Sequence, residues 1–169
     1  MSLLGAAVAG AAVASPAHRS QQPNSFEGTC RLYGDLVFAE PIGPTPRTTS
    51  FTDTARGTCS GKLNGAQHDS IPTTNAVNGW GTISCAGAEA HTSDVLTFAR
   101  HYRIHIFTDS KFVLTQGLAH SWGAVSGESF EHVDLLPYTD QALLERCNAG
   151  QLNSARYQLD ARTISPLVG

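Results

Sequence analysis

The sequence predicts an all-β fold and favours an antiparallel barrel of about eight strands with one short C-terminal helix over a β-sandwich. Apolar and polar residues alternate in several segments, and turn-forming residues separate these segments at regular intervals. Only 15% of the residues are charged, below the roughly 25% of an average soluble domain. Many short strands with regular turns are typical of sandwiches and closed barrels. Glycines at inward positions permit tight strand coiling and favour the barrel: Gly28, Gly34, Gly57 and Gly61.

The first two strands carry the clearest pattern. Residues 26–38 alternate between apolar or small residues and polar residues, the proline-rich segment 41–46 ends this strand, and residues 51–63 repeat the alternation. We expect the two strands to form an antiparallel hairpin with Cys30 opposite Cys59. That register brings complementary side chains together: Phe38 lies opposite Phe51, and Leu32 lies opposite Gly57.

The remaining segments follow from the same signals. A helix is predicted after an N-cap at Thr139, with Asp140 in its first turn, and Gly150 marks its end. Its apolar stripe consists of Ala142, Leu143, Leu144 and Cys147. The other predicted elements are a polar loop at 67–75, strands at 76–86, 95–99, 101–106, 112–119, 129–136 and 154–164, a turn at 108–111 and a bend at 123–127.

Four cysteines and no C-x-x-C pair disfavour a zinc ribbon or a thioredoxin site. An even number of cysteines in an exported chain predicts two disulfides, for which three connectivities exist. The hairpin register selects Cys30–Cys59, which leaves Cys85–Cys147.

The N-terminal residues predict export. Residues 3–14 form an uncharged apolar run that is too short to span a bilayer, and small residues follow it. We therefore expect a signal peptide at 1–17, an atypical one because no basic residue precedes the run, with a flexible Ala/Gly tail as the alternative. A disordered tail at 18–25 and a single β-domain at 26–169 complete the predicted organisation, and the protein is expected to be secreted or extracytoplasmic.

Short motifs carry a resemblance to other proteins. The segments GTC at 28–30, RGTCSG at 56–61, ISCAG at 83–87 and SPL at 165–167 together resemble the layout of small exported all-β proteins of actinobacterial type, which are mostly uncharacterised. The similarity covers residues 29–168. It implies export and a β-fold, and it implies no catalytic residue.

One motif suggests an enzyme. The segment 104–110 (IHIFTDS) resembles the strand-then-Asp signature of ribonuclease H domains, in which several carboxylates converge on two divalent cations. The upstream Asp-Gly and the helical Glu of that pattern are missing, and neither Asp35 nor Glu40 stands in that context. We therefore interpret 108–111 as a β-turn in which Asp109 caps the backbone. No G-x-S-x-G elbow, P-loop or H-E-x-x-H motif occurs either.

Histidines are the candidate metal ligands, of which His101 and His105 are the two considered. They share one predicted strand face, but four residues along a strand span roughly 13 Å, too far for one metal ion. Cross-strand partners such as His120 or His132 would be needed. We expect no metal and no cofactor, and we interpret these histidines as part of a solvated polar face.

Three residues are candidates for ligand binding. Asp53 faces inward by alternation, either as a polar anchor inside a ligand cavity or at a strand end in water, and we favour the strand end. Trp80 and Trp122, like Tyr33, are assigned to outward faces, where exposed aromatic residues mark carbohydrate or partner binding unless another element covers them.

These observations favour an exported, non-enzymatic β-domain with a binding or interaction role at or outside the cell surface. The expected partner is an unknown small molecule or a cell-surface partner. Nucleic acid is excluded because the formal charge is −3 and no basic patch occurs, and no stable membrane span is expected after signal removal. The alternatives are a β-barrel that binds a small apolar ligand, and an enzyme with an unrecognised site.

Overall fold

The structure, a computed structural model, describes residues 23–113, 118–123, 127–136 and 141–169, with the backbone alone at 110, 112–113, 118–123 and 127–136. Nine strands and one helix follow in chain order. They are β1 Ser25–Ile42, β2 Arg47–Leu63, β3 Ala66–Ser84, β4 Gly87–Phe98, β5 Tyr102–Val113, β6 Leu118–Gly123, β7 Gly127–Leu136, α1 Gln141–Asn148, β8 Leu152–Thr163 and β9 Leu167–Val168.

All strand pairs are antiparallel, so the all-β prediction with one short helix is confirmed. The order of the strands in the sheet is β2-β3-β4-β5-β6-β7-β8-β1-β9, and β1 additionally pairs with β2. Consecutive strands are therefore neighbours from β1 to β7, and α1 separates β7 from its neighbour β8. In the described part of the chain, no helix is long and apolar enough to cross a membrane.

The predicted hairpin register is confirmed. In the β1–β2 ladder, Cys30 lies opposite Cys59, and the two complementary pairs predicted from the sequence are also opposite each other. Both predicted disulfides are present, Cys30–Cys59 and Cys85–Cys147. Two disulfides within one small chain indicate an oxidising environment outside the cytoplasm.

The start of the β-domain lies slightly earlier than predicted. β1 begins at Ser25, and the backbones of Asn24 and Gly169 exchange hydrogen bonds of 3.1 and 3.0 Å. Asn24 and Ser25 are thus tied to β9 and the β2–β3 turn rather than belonging to a disordered tail, because the backbone groups of this end find partners. The predicted signal peptide at 1–17 lies outside the described residues.

Several predicted strands are too short. The observed strands extend beyond the apolar residues from which they were predicted. The predicted loop 67–75 is the first half of β3, and the predicted turn 108–111 lies inside β5. Polar residues occupy inward positions there, so their alternation was hidden: Thr73, Asn75 and Thr108 are all buried. The predicted strand 112–119 is split between β5, which ends at Val113, and β6, which begins at Leu118.

Helix α1 covers one group of core residues. It buries Leu143 and Cys147, whereas Leu144, from the predicted apolar stripe, is 42% exposed. The disulfide from Cys147 reaches Cys85, which lies in the turn between β3 and β4 rather than within a strand. Gly150 has a φ of +70° and ends the helix as predicted. The predicted N-cap, Thr139, lies outside the described residues.

The described core consists of two apolar clusters. One packs around Leu32, Tyr157 and α1, and the other around Phe26 and Phe98, whose rings stack with centroids 4.7 Å apart. On β3 and β4, polar side chains occupy the inward positions between these clusters. They are Thr73, Asn75, Thr92 and Asp94.

Candidate ligand-binding site

A row of three side chains crosses the outer face of β3, β4 and β5. Trp80 lies directly opposite His91, and His91 lies directly opposite Asp109. The rings of Trp80 and His91 are in contact, with centroids 4.7 Å apart and planes at 38°. His91 Nδ1 donates a hydrogen bond to Asp109 Oδ1. The three side chains therefore hold one another in place, and the indole of Trp80 remains 57% exposed.

A second row runs beside the first. Asn78 lies opposite Ser93, and Ser93 lies opposite Phe107, whose ring is 54% exposed. The two rows line a groove of about 360 Å³ together with Thr92 and Thr108, which lie between the rows along β4 and β5 and have inward positions. This volume falls within the range of small-molecule sites, roughly 300–1,000 Å³. We call this groove, with its eight lining residues, the outer groove.

The charges around the outer groove are few. Its one pair of ionisable side chains is His91 with Asp109, and neither Lys nor Arg is among its described lining residues. Glu89 and Lys111, the next pair on the same face on the side away from Ser93 and Phe107, form an ion pair of 2.8 Å, so their charges cancel. The described walls of the groove are therefore aromatic and hydrogen-bonding rather than strongly charged.

The structure places the predicted aromatic residues in two regions. Trp80 is exposed on β3, as predicted, and it forms one wall of the outer groove. Trp122 lies on β6 as the register partner of Asp109, at a position described by its backbone alone. Tyr33 is 51% exposed on β1, where its register partners are Arg56 and Gln158, so it belongs to another part of the sheet.

Of the eight residues of the outer groove, only Trp80 was predicted as a ligand-binding candidate, and the seven that were missed include His91, Asp109 and Phe107. His91 fell before the predicted fourth strand, Asp109 was assigned to a turn, and Phe107 was not considered. The signal that finds Phe107 and Asp109 is the alternation along β5, where Ile104, Ile106 and Thr108 are buried and the residues between them are exposed. The sequence TDS at 108–110 concealed it because Asp and Ser are also common turn residues.

Asp53 belongs to a second polar group, inside the fold. The preferred interpretation, a strand end in water, is wrong: Asp53 lies within β2, is only 7% exposed and accepts a hydrogen bond from the hydroxyl of Tyr157. Tyr157 on β8 reaches Asp53 across β1, where Gly34 leaves room for its ring. Within the described residues, one carboxylate oxygen of Asp53 has no hydrogen-bond partner.

Asp94 shares the surroundings of Asp53. The two residues are the cross-strand partners of Val77 on its two sides. Burial raises the pKa of Asp53 to about 6, with a further contribution from the charge of Asp94, while the Tyr157 hydrogen bond acts in the opposite direction. Burial likewise raises the pKa of Asp94 to about 6, against the hydrogen bond with Thr92. Both carboxyl groups therefore hold a proton more tightly than an ordinary Asp.

A small cavity lies next to this interior group. Its volume is about 40 Å³. Its described lining is apolar except for Asn75, Asp94, Thr108, Arg162 and Thr163. Oδ1 of Asn75 and Oδ1 of Asp94 have no hydrogen-bond partner among the described residues. Space of this size holds one or a few water molecules, which would donate to these oxygens.

The predicted weak metal ligands do not converge. His101 lies in the turn before β5 and its ring contacts the ring of Tyr102, with centroids 4.4 Å apart, so it does not share a strand with His105. His105 lies before the β5–β6 ladder, and its β4 partner is Val95. Among the residues that the structure describes, no three His, Cys, Asp or Glu side chains are grouped to hold a metal ion.

The carboxylates considered for the nuclease pattern are also separate. Asp35 pairs with Arg156 at 3.2 Å and Glu40 pairs with Arg47, both in exposed ion pairs. Asp109 pairs instead with His91. These three carboxylates each have a different partner and do not form the group that two-metal chemistry requires.

The chain matches no protein-family profile, no curated protein and no solved structure.

Proposed function

We propose that this protein is an exported, non-enzymatic β-domain that binds a ligand in the outer groove. One observation carries the proposal: the exposed indole of Trp80 is held by His91, which is held in turn by Asp109. An exposed aromatic residue ordinarily loses side-chain entropy when a ligand fixes it, and a ring that is already held loses less. A solvent-facing row of this kind favours a role in binding over a role in stability, because none of its members is buried.

The pair of His91 and Asp109 favours binding over hydrolysis. In a hydrolytic triad the Asp orients the His, and the second ring nitrogen of the His activates a nucleophile. In the described part of the chain, the hydrogen bond of His91 is to Asp109 and none joins it to a Ser or Thr hydroxyl. The pair therefore acts as a support for Trp80 and as a hydrogen-bonding surface.

Export is part of the proposal. Two disulfides support folding in an oxidising compartment, and the apolar run at 3–14 followed by small residues supports a signal peptide. The resemblance to exported all-β proteins of actinobacterial type points to the same localisation.

We further propose that the strands close into an antiparallel barrel rather than a sandwich. The pairing of β1 with both β2 and β8 supports this, because each strand from β1 to β8 then has a neighbour on both sides.

The alternative function, binding of a small apolar ligand inside the barrel, finds less support. The interior cavity found among the described residues has about 40 Å³, far below the size of small-molecule sites, and carries unpaired acceptors of Asn75 and Asp94.

A fragment screen by ligand-observed NMR tests the binding function directly. The library spans aromatic, aliphatic, cationic, anionic and sugar fragments, and each hit is repeated with Trp80→Ala and with Tyr33→Ala. Tyr33 is the matched control because it is an aromatic residue of similar exposure on a different strand. We expect hits that Trp80→Ala removes and Tyr33→Ala retains. Hits that both variants retain, or no hits at all, would contradict a site in the outer groove.

A further inference from the structure

We infer that the ligand of the outer groove is a neutral oligosaccharide. This inference rests on the proposed binding function and names the class of molecule that the groove recognises. It depends on three properties of the groove, namely the exposed ring faces, the hydrogen-bonding groups between them and the absence of cationic side chains from the described lining.

The ring faces provide the apolar part of the recognition. A pyranose ring has C–H groups on its faces and hydroxyl groups around its edge, so it packs flat on an aromatic ring and keeps its polar edge free. Trp80 presents the largest aromatic surface in the groove and is 57% exposed. Contact with His91 fixes the orientation of the indole, so it is prepared for such packing.

The polar groups lie where the edge of a stacked sugar would meet them. Asp109 has carboxylate oxygens that accept, Asn78 has an amide that both donates and accepts, and His91 has a second ring nitrogen beyond its bond to Asp109. Planar groups of this kind bind neighbouring hydroxyls of a sugar in pairs. Ser93, between Asn78 and Phe107, adds a hydroxyl.

The charge of the groove selects neutral sugars. An anionic sugar would approach the carboxylate of Asp109, and no described lining residue is Lys or Arg to compensate. Lys111, two residues beyond Asp109 on β5, forms an ion pair with Glu89. Sulfated or uronic-acid-rich polymers are therefore disfavoured.

Two aromatic walls indicate more than one sugar ring. Trp80 and Phe107 stand on β3 and β5, with β4 between them, and their cross-strand rows are two residues apart. With about 4.8 Å between strands and about 3.4 Å per residue, their backbones are separated by roughly 12 Å. That distance exceeds the width of a single pyranose, so the groove is expected to hold an oligosaccharide with a ring near each aromatic residue.

Isothermal titration calorimetry of the mature, disulfide-bonded protein tests the inference. The probes are hexasaccharides of cellulose, xylan, chitin, laminarin and maltose, each with its monosaccharide, and polygalacturonate serves as the anionic probe. We expect binding of at least one neutral hexasaccharide, much weaker binding of its monosaccharide and no binding of polygalacturonate. Trp80→Ala should weaken binding of the hexasaccharide by roughly tenfold or more. Phe107→Ala should weaken binding of the hexasaccharide and leave the affinity for the monosaccharide unchanged. Tyr33→Ala should change neither affinity.

The outcomes separate this inference from the proposed function. If no neutral hexasaccharide binds, the inference is overturned, and fragment hits that depend on Trp80 would then show that the groove binds another class of ligand. If a hexasaccharide binds but Trp80→Ala leaves its affinity unchanged, the sugar binds elsewhere. Both the carbohydrate assignment of this groove and its proposed role as the binding site are then wrong. Preferential binding of polygalacturonate would contradict the charge argument. Circular dichroism and intact disulfides confirm that each variant is folded, and His91→Ala provides a second variant of the same row.

Discussion

The hydroxyl of Tyr157 on β8 donates a hydrogen bond to the buried carboxylate of Asp53 on β2, across the intervening strand β1. This bond links two strands that do not pair with each other. It also gives Oδ2 of this buried carboxylate a hydrogen-bond partner, whereas Oδ1 has none among the described residues. The interior of the protein is therefore not uniformly apolar, and we expect its buried polar groups to affect stability.

Stability is expected to depend on the protonation of Asp53 and Asp94. Burial raises the pKa of each to about 6, above the value of about 3.9 in an unfolded chain. The folded state thus binds these two protons more tightly, so their stabilising contribution is complete below about pH 4 and is lost as the pH rises through about 6. Each group contributes on the order of 1–3 kcal/mol.

Asn substitutions isolate this effect. In Asp53→Asn the amide oxygen still accepts the Tyr157 bond, while the charge is gone. We expect Asp53→Asn and Asp94→Asn to be more stable than the wild type at pH 7.5 and to lose that advantage at pH 4, as measured by urea denaturation. Asp69→Asn is the control because Asp69 is exposed. An advantage of the same size at both pH values would contradict the assignment.

Gly34 and Tyr157 are expected to be energetically coupled. A Cβ at position 34 would lie 2.7 Å from ring and hydroxyl atoms of Tyr157, so Gly34→Ala must displace the ring and its bond to Asp53. We expect Gly34→Ala to cost about 1–3 kcal/mol and Tyr157→Phe about 1–2 kcal/mol. In a double-mutant cycle the two losses should sum to more than the loss in the double variant. Strict additivity would show that the ring does not move.

The Cys85–Cys147 disulfide should stabilise the fold slightly more than Cys30–Cys59. The sequence separations are 62 and 29 residues, which correspond to about 4.3 and about 3.6 kcal/mol of loop entropy. Paired Ser substitutions at each bridge, compared by thermal unfolding, measure the two contributions. A non-reducing peptide map is the accompanying control, and a peptide joining Cys59 to Cys85 would contradict the connectivity.

The first hairpin could be predicted because its residues obey a single rule. Apolar or small residues alternate with polar residues along β1 and β2, and placing Cys30 opposite Cys59 fixed every other pair. β3 to β5 could not be predicted as well, because the inward side chains there include Asn75, Asp94 and Thr108. Such residues in a sequence pattern predict a loop or a turn, whereas in the fold they are buried or half-buried at inward positions and lie in the strand ladders.

The outer groove was only partly predictable for a related reason. Trp80 was recognisable as an outward aromatic residue, but its partners come from β4 and β5, at sequence distances of 11 and 29 residues. Their adjacency depends on the register of two ladders, which the sequence did not specify there. Asp53 was placed on the correct face by alternation, but its burial depends on Tyr157, 104 residues away.

Trp80 should matter little for stability. Its side chain is 57% exposed, whereas Leu32 is 1% exposed and lies in the core. We expect Trp80→Ala to change the free energy of unfolding by about 0.5 kcal/mol and Leu32→Ala to reduce it by about 2–5 kcal/mol. Denaturant unfolding of the two variants checks this. A loss of several kcal/mol in Trp80→Ala would assign the row of Trp80, His91 and Asp109 a structural role.

We have proposed that the outer groove is the binding surface of this protein. Two-dimensional ¹H–¹⁵N NMR during titration with the tightest-binding hexasaccharide tests it most directly. We expect the indole N–H of Trp80 and the amides of Asn78, His91, Phe107 and Asp109 to shift together and to saturate at one affinity. Shifts confined to the interior residues Asn75 and Asp94, or spread over β1 around Tyr33, would contradict it.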